Sequence, residues 1–357
     1  DYNDRLTQWM ASDSGAGDIV ALEEGTIVQF QAQADKFVNL LDHGAGELKA
    51  NFLPWKWQQG LTADGKLIGL GTDVGSMAIC YRKDLFKAAG LPTDRNKVSA
   101  LWPTWEKFVE VGRDYARRQE DSRFVDAATN VYNTVLLQQA GLGTGYTYFD
   151  REDRFVLETN PDVIAAWQLT VEMIDAGLSA GLQVNSSQWS TGFQRAQFAT
   201  VGCPAWMTGI IAANAGQKQA DKWDIAKAPG SGGNWGGSFL AVPKQSRNQA
   251  EAVKLAKFLT SPESQIEAFN TVGALPSSAK ALDDPAVMGK KNGYFNDAPT
   301  GAIFAVGVKE LKPVYLGPKN QPVRDAVESA LRSIEQGRAS PKEAWATALR
   351  EGAAAAG

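Results

Sequence analysis

What most restricts the fold of this chain is an alternation that runs from end to end, in which short apolar runs closed by glycine are each followed by a stretch of helical periodicity. Leu6, Trp9 and Met10 fall on one face of a helix, and Asp18-Ile-Val-Ala-Leu22 then reads as a buried strand that breaks at Gly25. Leu67-Ile-Gly-Leu-Gly-Thr-Asp73 and Ser76-Met-Ala-Ile-Cys-Tyr81 read as successive strands around Val74-Gly75, and Lys83 to Ala89 turns helical and stops at Gly90. Strands that alternate with helices build layered α/β structures rather than sandwiches or bundles. Helix starts are marked at Pro103-Thr104-Trp105-Glu106, Asn160-Pro161-Asp162 and Ser261-Pro262-Glu263, and Ser340-Pro341-Lys342-Glu343 spells a full capping box. No repeat of 20–50 residues is present.

A length of 357 residues with 44% apolar content predicts about two domains. Such a chain buries enough surface to need no disulfide framework or structural metal. Thirty-six Lys and Arg against 40 Asp and Glu give a net charge of −4 without a basic run, which argues against nucleic-acid or anionic-membrane partners. A lone histidine, His43, argues against histidine-dependent catalysis and multi-histidine zinc sites. No apolar run approaches a membrane span. No GxxxxGK[ST] occurs, and neither Gly141-Leu-Gly-Thr-Gly145 nor the glycines of 230–237 satisfy GxGxxG between a strand and a helix, so no nucleotide, other cofactor or metal is implied.

Glu23-Glu24, Asp150 with Glu152 and Asp153, and Asp283-Asp284 are the acidic clusters. A glycosidase needs two carboxyls about 5–9 Å apart, usually from separate strand ends, so adjacent acids on a turn read first as solvated. Glu23 and Glu24 stand out because they lie just past a strand, where open α/β sheets bind ligands, and Asp73 sits comparably. Carboxylates there either accept hydroxyl hydrogen bonds or cap a turn. Of the 11 tryptophans, Trp9, Trp167 and Trp345 lie at helical spacing and are predicted core, and Trp55 and Trp57 are core or rim. Trp189, Trp206 and Trp235 sit in Ser, Thr, Gly or Pro contexts, the last inside Pro229-Gly-Ser-Gly-Gly-Asn-Trp-Gly-Gly-Ser238. An indole left open in a cleft stacks on a pyranose, and we expect that role for these three over a local hydrophobic clasp. Cys80 and Cys203 fall in strand-like segments and are either bridged or two buried thiols.

At Gly65 to Pro92, followed by Pro103-Thr-Trp-Glu106, the chain resembles the family 1 extracellular solute-binding proteins, the sugar-capturing subunits of ABC importers. The likeness continues through Gly192-Phe193, Phe198 to Met207, Gly232 to Lys244, Phe258 to Glu263 and Gly273-Ala-Leu-Pro-Ser277. Gly17-Asp-Ile-Val-Ala-Leu-Glu-Glu-Gly25 and Gly-Gly-Asn-Trp-Gly-Gly-Ser238 are similar to members that bind cellobiose and cello-oligosaccharides.

The resemblance implies a two-lobe, type II periplasmic-binding-protein fold, each lobe a sheet flanked by helices, with a hinged cleft. It implies discontinuous lobes, 1–75 with 239–281 and 76–238 with 282–357, and hinge crossings near Asp73 to Met77, near Ser238 to Leu240 and after Gly273 to Ser277. Carried over, Glu23 or Glu24 and Asp73 contact hydroxyls from the first lobe, and Trp189, Trp206, Asn234 and Trp235 contact the sugar from the second lobe or hinge. Asn130 and Asn133 are further candidates, with helix capping as their alternative. The expected partners are an oligosaccharide and the transmembrane subunits of an ABC permease, with a monomeric receptor on the outer face of the cytoplasmic membrane, lipid-anchored, or in the periplasm. The opening strand and helix usual in this family are not found after Asp1. On the resemblance, either about forty residues of such a βα unit precede it or the first lobe is built differently. The rival expectations are a glycoside hydrolase using these acids and a polymer-binding adhesion module.

Overall fold

The computed structural model describes residues 2–230, 232–305, 308 and 311–357. Its strands are β1 (Val20–Glu23), β2 (Leu70–Gly71), β3 (Asp73–Val74), β4 (Met77–Arg82), β5 (Arg123–Val125), β6 (Phe198–Pro204), β7 (Trp223–Lys227), β8 (Ser238–Ala241) and β9 (Leu275–Pro276). One sheet has the order β1-β8-β2 with both pairings antiparallel, a second has β5-β6-β4-β7, and β3 pairs with β9. Most of the remaining chain is helical, so the layered α/β arrangement expected from the alternation is present.

The four-stranded sheet explains the unbroken apolar run of β4. Ile79 and Tyr81 enter a core containing Phe86, Trp102, Phe108 and Trp167, while Ala78 and Cys80 enter another containing Trp189, Phe193 and Trp223. A strand covered on both faces has no polar face to display, and all six residues of β4 are buried. Cys80 and Cys203, on the neighbouring strands β4 and β6, are joined by a disulfide with their Cα atoms 5.4 Å apart. In the three-stranded sheet, Val20 and Leu22 of β1 and Phe239 and Ala241 of β8 pack with Leu6, Met10 and Phe30.

Local capping follows the sequence signals. Thr104, Asn160 and Ser261 cap the helices Trp105–Ala116, Pro161–Asp175 and Pro262–Val272, and both halves of the Ser340–Glu343 box form. Trp55, Trp57 and Trp167 are buried, whereas Trp9 and Trp345 are partly buried against the core. His43 ends a short 3-10 helix, Leu40–His43.

Candidate functional site

Two passages of the chain between the sheets meet at one point. After β3 the chain runs through Gly75 into β4, and residues 232–237 lead back into β8. Gly75 N–H donates to Asn234 Oδ1 at 2.8 Å, and Trp235 N–H donates to the Gly75 carbonyl at 2.8 Å. A Cβ at residue 75 would lie 1.7 Å from the Trp235 carbonyl oxygen, so the crossing requires glycine. Gly236 and Gly237, with φ of +83° and +103°, turn the returning chain back toward β8.

The acids reach this crossing from the other sheet. Glu23 ends β1 and caps the helix Glu24–Gln31 by accepting from Gly25 N–H at 2.7 Å. Burial pushes its carboxyl above the ordinary range, against the Gly25 hydrogen bond and the charges of Arg324 and Lys56. Glu24 is 8% exposed. Its Oε1 accepts from Gln59 Nε2 at 2.8 Å, and its Oε2 accepts from Asn234 Nδ2 at 2.7 Å and Gly236 N–H at 3.1 Å. Burial nevertheless raises its pKa to about 7, with the Lys56 charge the largest opposing influence.

Above these groups lies a cleft of about 300 Å³, lined by Glu24 and Asn234 with Leu137, Leu142, Leu316 and Lys312. A small pocket of about 30 Å³ adjoins it through Glu24, Leu137 and Leu316, and includes Glu23, Asn133, Trp235 and Arg324. Carboxylate acceptors, amide donors and an indole at the base, with aliphatic walls, suit a ligand with both hydroxyls and C–H faces.

The structure brings Glu23, Glu24, Asn133, Asn234 and Trp235 together around this space. Asp73 fastens the crossing from behind, its Oδ1 accepting from the Thr72 hydroxyl at 2.7 Å and from Ser238 N–H at 2.9 Å. Trp206 supports Trp235: its Nε1 donates to the Trp235 carbonyl at 3.0 Å, and the two rings meet at 82° with centroids 6.3 Å apart. The Arg324 guanidinium sits 5.7 Å from the Trp235 ring centroid.

Trp189 and Asn130 correct the expectation. Trp189 is 1% exposed in the helix Ser187–Arg195, edge-on to Phe193, with its Nε1 donating to Asp126 Oδ2 at 2.7 Å. Its Ser and Thr neighbours form the outer side of an amphipathic helix, which made a core indole look like an open one. Asn130, also 1% exposed, donates to the same Asp126 oxygen at 2.9 Å. Neither Asn130 nor Asn133 caps the helix Ala128–Leu142, whose N-cap is Ala127, and Asn133 donates to the Thr129 carbonyl and to Glu328 Oε1.

Sequence reasoning missed Lys56, Gln59 and Arg324. Lys56 lies between Trp55 and Trp57 on the short helix Pro54–Gln59, and the burial of all three is not announced by their spacing, since adjacent helical residues point in different directions. Arg324 lies far along the chain on the helix Asn320–Glu335, and only the tertiary fold brings it to the pocket.

An α/β fold with a polar-based cleft where the chain passes between its two larger sheets is the architecture of a ligand-binding protein. The family of bacterial extracellular solute-binding proteins matches residues 1–294, and the chain belongs to that family. A crystal structure of an extracellular solute-binding protein of family 1 shares 42% identity and a TM-score of 0.88, covering 100% of this chain and 90% of its own. The lactose-binding protein of Rhizobium radiobacter is 23% identical over 202 residues, 54% of this chain and 45% of that protein. The arabinooligosaccharide-binding protein of Bacillus subtilis (strain 168) is 25% identical over 308 residues, 81% of this chain and 67% of that protein. The chain thus matches less than half the length of the first relative and about two thirds of the second. The architecture is the two-lobe α/β fold of periplasmic sugar-binding proteins. Among the described residues no helix is long and apolar enough to cross a membrane.

Proposed function

We propose that this protein is the oligosaccharide receptor of an ABC importer, which captures its ligand in the cleft by hinge closure and delivers it to the permease subunits. The observation that carries this reading is the convergence of Glu24, Asn234 and Trp235 at the base of the cleft, where the chain passes between the sheets. Ligand held there would touch groups from both sides of the crossing, and closure is favoured only by contacts that exist in the closed state. The membership of β1, β2 and β8 in one sheet and of β4 to β7 in the other supports lobes of 1–75 with 239–281 and 76–238 with 282–357. Within this reading Glu23, Glu24, Asn133, Asn234 and Trp235 contact the sugar, while Asp73 and Trp206 hold that set in place. The two curated relatives carry names of sugar-binding proteins, and the motifs around Glu23-Glu24 and Asn234-Trp235 favour cellobiose or a cello-oligosaccharide. The receptor works as a monomer outside the cytoplasmic membrane, lipid-anchored or in the periplasm, and releases its sugar unchanged.

The test is a titration followed by tryptophan fluorescence and calorimetry with cellobiose, cellotriose, lactose, maltose and arabinobiose, with product analysis of each incubation. Micromolar or tighter binding of one series without turnover is expected. Glucose release from cellobiose in proportion to protein would overturn the receptor reading in favour of a hydrolase.

A further inference from the structure

The side chain least explained by packing is Lys56. It is 0% exposed, yet its Nζ has no hydrogen-bond partner among the described residues. A buried ammonium without an acceptor is costly, so it persists only where its charge is needed. The chain makes space for it at two glycines. A Cβ on Gly71 would lie 2.9 Å from Lys56 Cγ, and one on Gly237 would lie 2.9 Å from Nζ and 2.4 Å from the Asp73 carbonyl oxygen. The ammonium rests 3.8 Å from the Phe239 ring centroid, a cation–π position on the returning strand β8.

The charged groups around Lys56 come from separate segments: Glu23 and Glu24 at the end of β1, and Asp73 in β3. Arg324, from the helix Asn320–Glu335, faces Glu23 as a second cation. Glu24 is buried with the half-buried Glu23 beside it and Asp73 nearby, and a central cation opposes the uptake of a proton by the glutamate pair. Protonation of Glu24 would be the most damaging. Its two oxygens organise Gln59, Asn234 and Gly236, and it borders both the cleft and the pocket beneath it.

We infer that Lys56 is the positioning residue of this cleft: its ammonium, beyond hydrogen-bond reach of Glu23 and Glu24, opposes their protonation through its field alone and leaves their oxygens to other donors. An ammonium that bonded the carboxylates directly would occupy those oxygens, and one spaced from them acts by field alone. Burial draws the Lys56 pKa down, while Glu24, Asp73 and Glu23 oppose that pull, so lysine and acids each favour the other's charged form. The inference rests on the receptor reading for its purpose, though not for its electrostatics.

Purpose and electrostatics are tested separately. In protein labelled with ¹³C at the glutamate carboxyl and the lysine ε-carbon, Glu24 is assigned by the signal lost in E24Q and Lys56 by the signal lost in K56M. The K56M chain, which keeps the stem's volume, should titrate Glu24 about one pH unit higher or more, the scale of losing one nearby opposite charge. In the lysine-containing chain, E24Q should lower the Lys56 midpoint, a measurement that stands even if K56M does not fold. A Glu24 midpoint unmoved in folded K56M, or a Lys56 midpoint unmoved in E24Q, overturns the inference. The second readout is cellobiose affinity between pH 6 and 9. K56M should weaken it about fivefold at pH 7, because raising the Glu24 midpoint by about one pH unit from about 7 cuts the ionised fraction from about a half to about a tenth, and affinity should recover as pH rises. A weakening that is equal at all pH values would mark Lys56 as merely structural and overturn the inference. Wild-type protein that binds no cellobiose but shows both NMR shifts would leave Lys56 standing and remove cellobiose as the ligand.

Discussion

Gly75→Ala is the substitution that most directly separates the cleft from the rest of the fold. The new methyl would begin 1.7 Å from the Trp235 carbonyl oxygen and 2.4 Å from its carbonyl carbon, both backbone atoms with no rotamer to change. Ordinary contact needs about 3.5–4 Å, so the two chain passages must part by roughly 2 Å. The bonds from Gly75 N–H to Asn234 Oδ1 and from Trp235 N–H to Gly75 O, both 2.8 Å, would then exceed hydrogen-bond length. Two lost bonds at about 0.5–1.5 kcal/mol each, with overpacking of about 1–3 kcal/mol, give a destabilisation of about 2–6 kcal/mol. Asn234 would also leave Glu24, so the folded fraction should bind sugar at least tenfold more weakly. The assay is urea unfolding followed by tryptophan fluorescence, paired with calorimetric titration of the sugar that wild type binds. Gly232→Ala, in the same returning loop where an added Cβ meets nothing within 4 Å among the described residues, is the control and should change stability by less than about 0.5 kcal/mol. G75A protein as stable as G232A and equally competent in binding would refute the claim that this contact sets the cleft.

Trp235→Ala should weaken sugar binding by about 1–3 kcal/mol with the fold intact, and Trp206→Ala should act through Trp235 by removing its carbonyl partner, both read by calorimetry. Trp189→Ala should instead cost about 3–5 kcal/mol of stability and leave the affinity of folded protein unchanged; a selective loss of affinity would return this indole to the site. Burial raises Asp126 from 3.8 to about 6 against bonds from Trp189 and Asn130. The native state therefore keeps this proton between those values where the unfolded chain releases it, so this contribution to stability is present at low pH and is lost as pH rises to about 6. Asp126→Asn should abolish that slope in unfolding measurements from pH 4 to 7, and a slope as steep as wild type would show that another group carries it. Replacing Cys203 by Ser opens a loop with a sequence separation of 123 and should cost about 4–5 kcal/mol on the chain-entropy model, checked by the same unfolding assay against reduced wild type.

The α/β class, the helix starts and the strand β4 were legible in the chain because periodicity, capping and glycine boundaries act over a few residues, whereas the run Leu67 to Asp73, read as one strand, divides into the short β2 and the start of β3 in separate sheets. The resemblance motifs likewise pointed to Glu23, Glu24, Asn234 and Trp235, all of which border the cleft or its adjoining pocket. Local context failed at Trp189, where hydroxyl-bearing neighbours cover the outside of a helix whose inside is core. It failed again at Lys56, whose charge balance depends on acids from two other segments, and at Arg324, about three hundred residues from Glu23 in sequence. Residue type and short-range spacing therefore decided which elements form and which loops carry polar and aromatic groups. Which of those groups share a cleft, and which charges are left without a partner, was decided only when two distant passages of the chain closed on Gly75, because burial and electrostatic coupling depend on neighbours in space rather than in sequence.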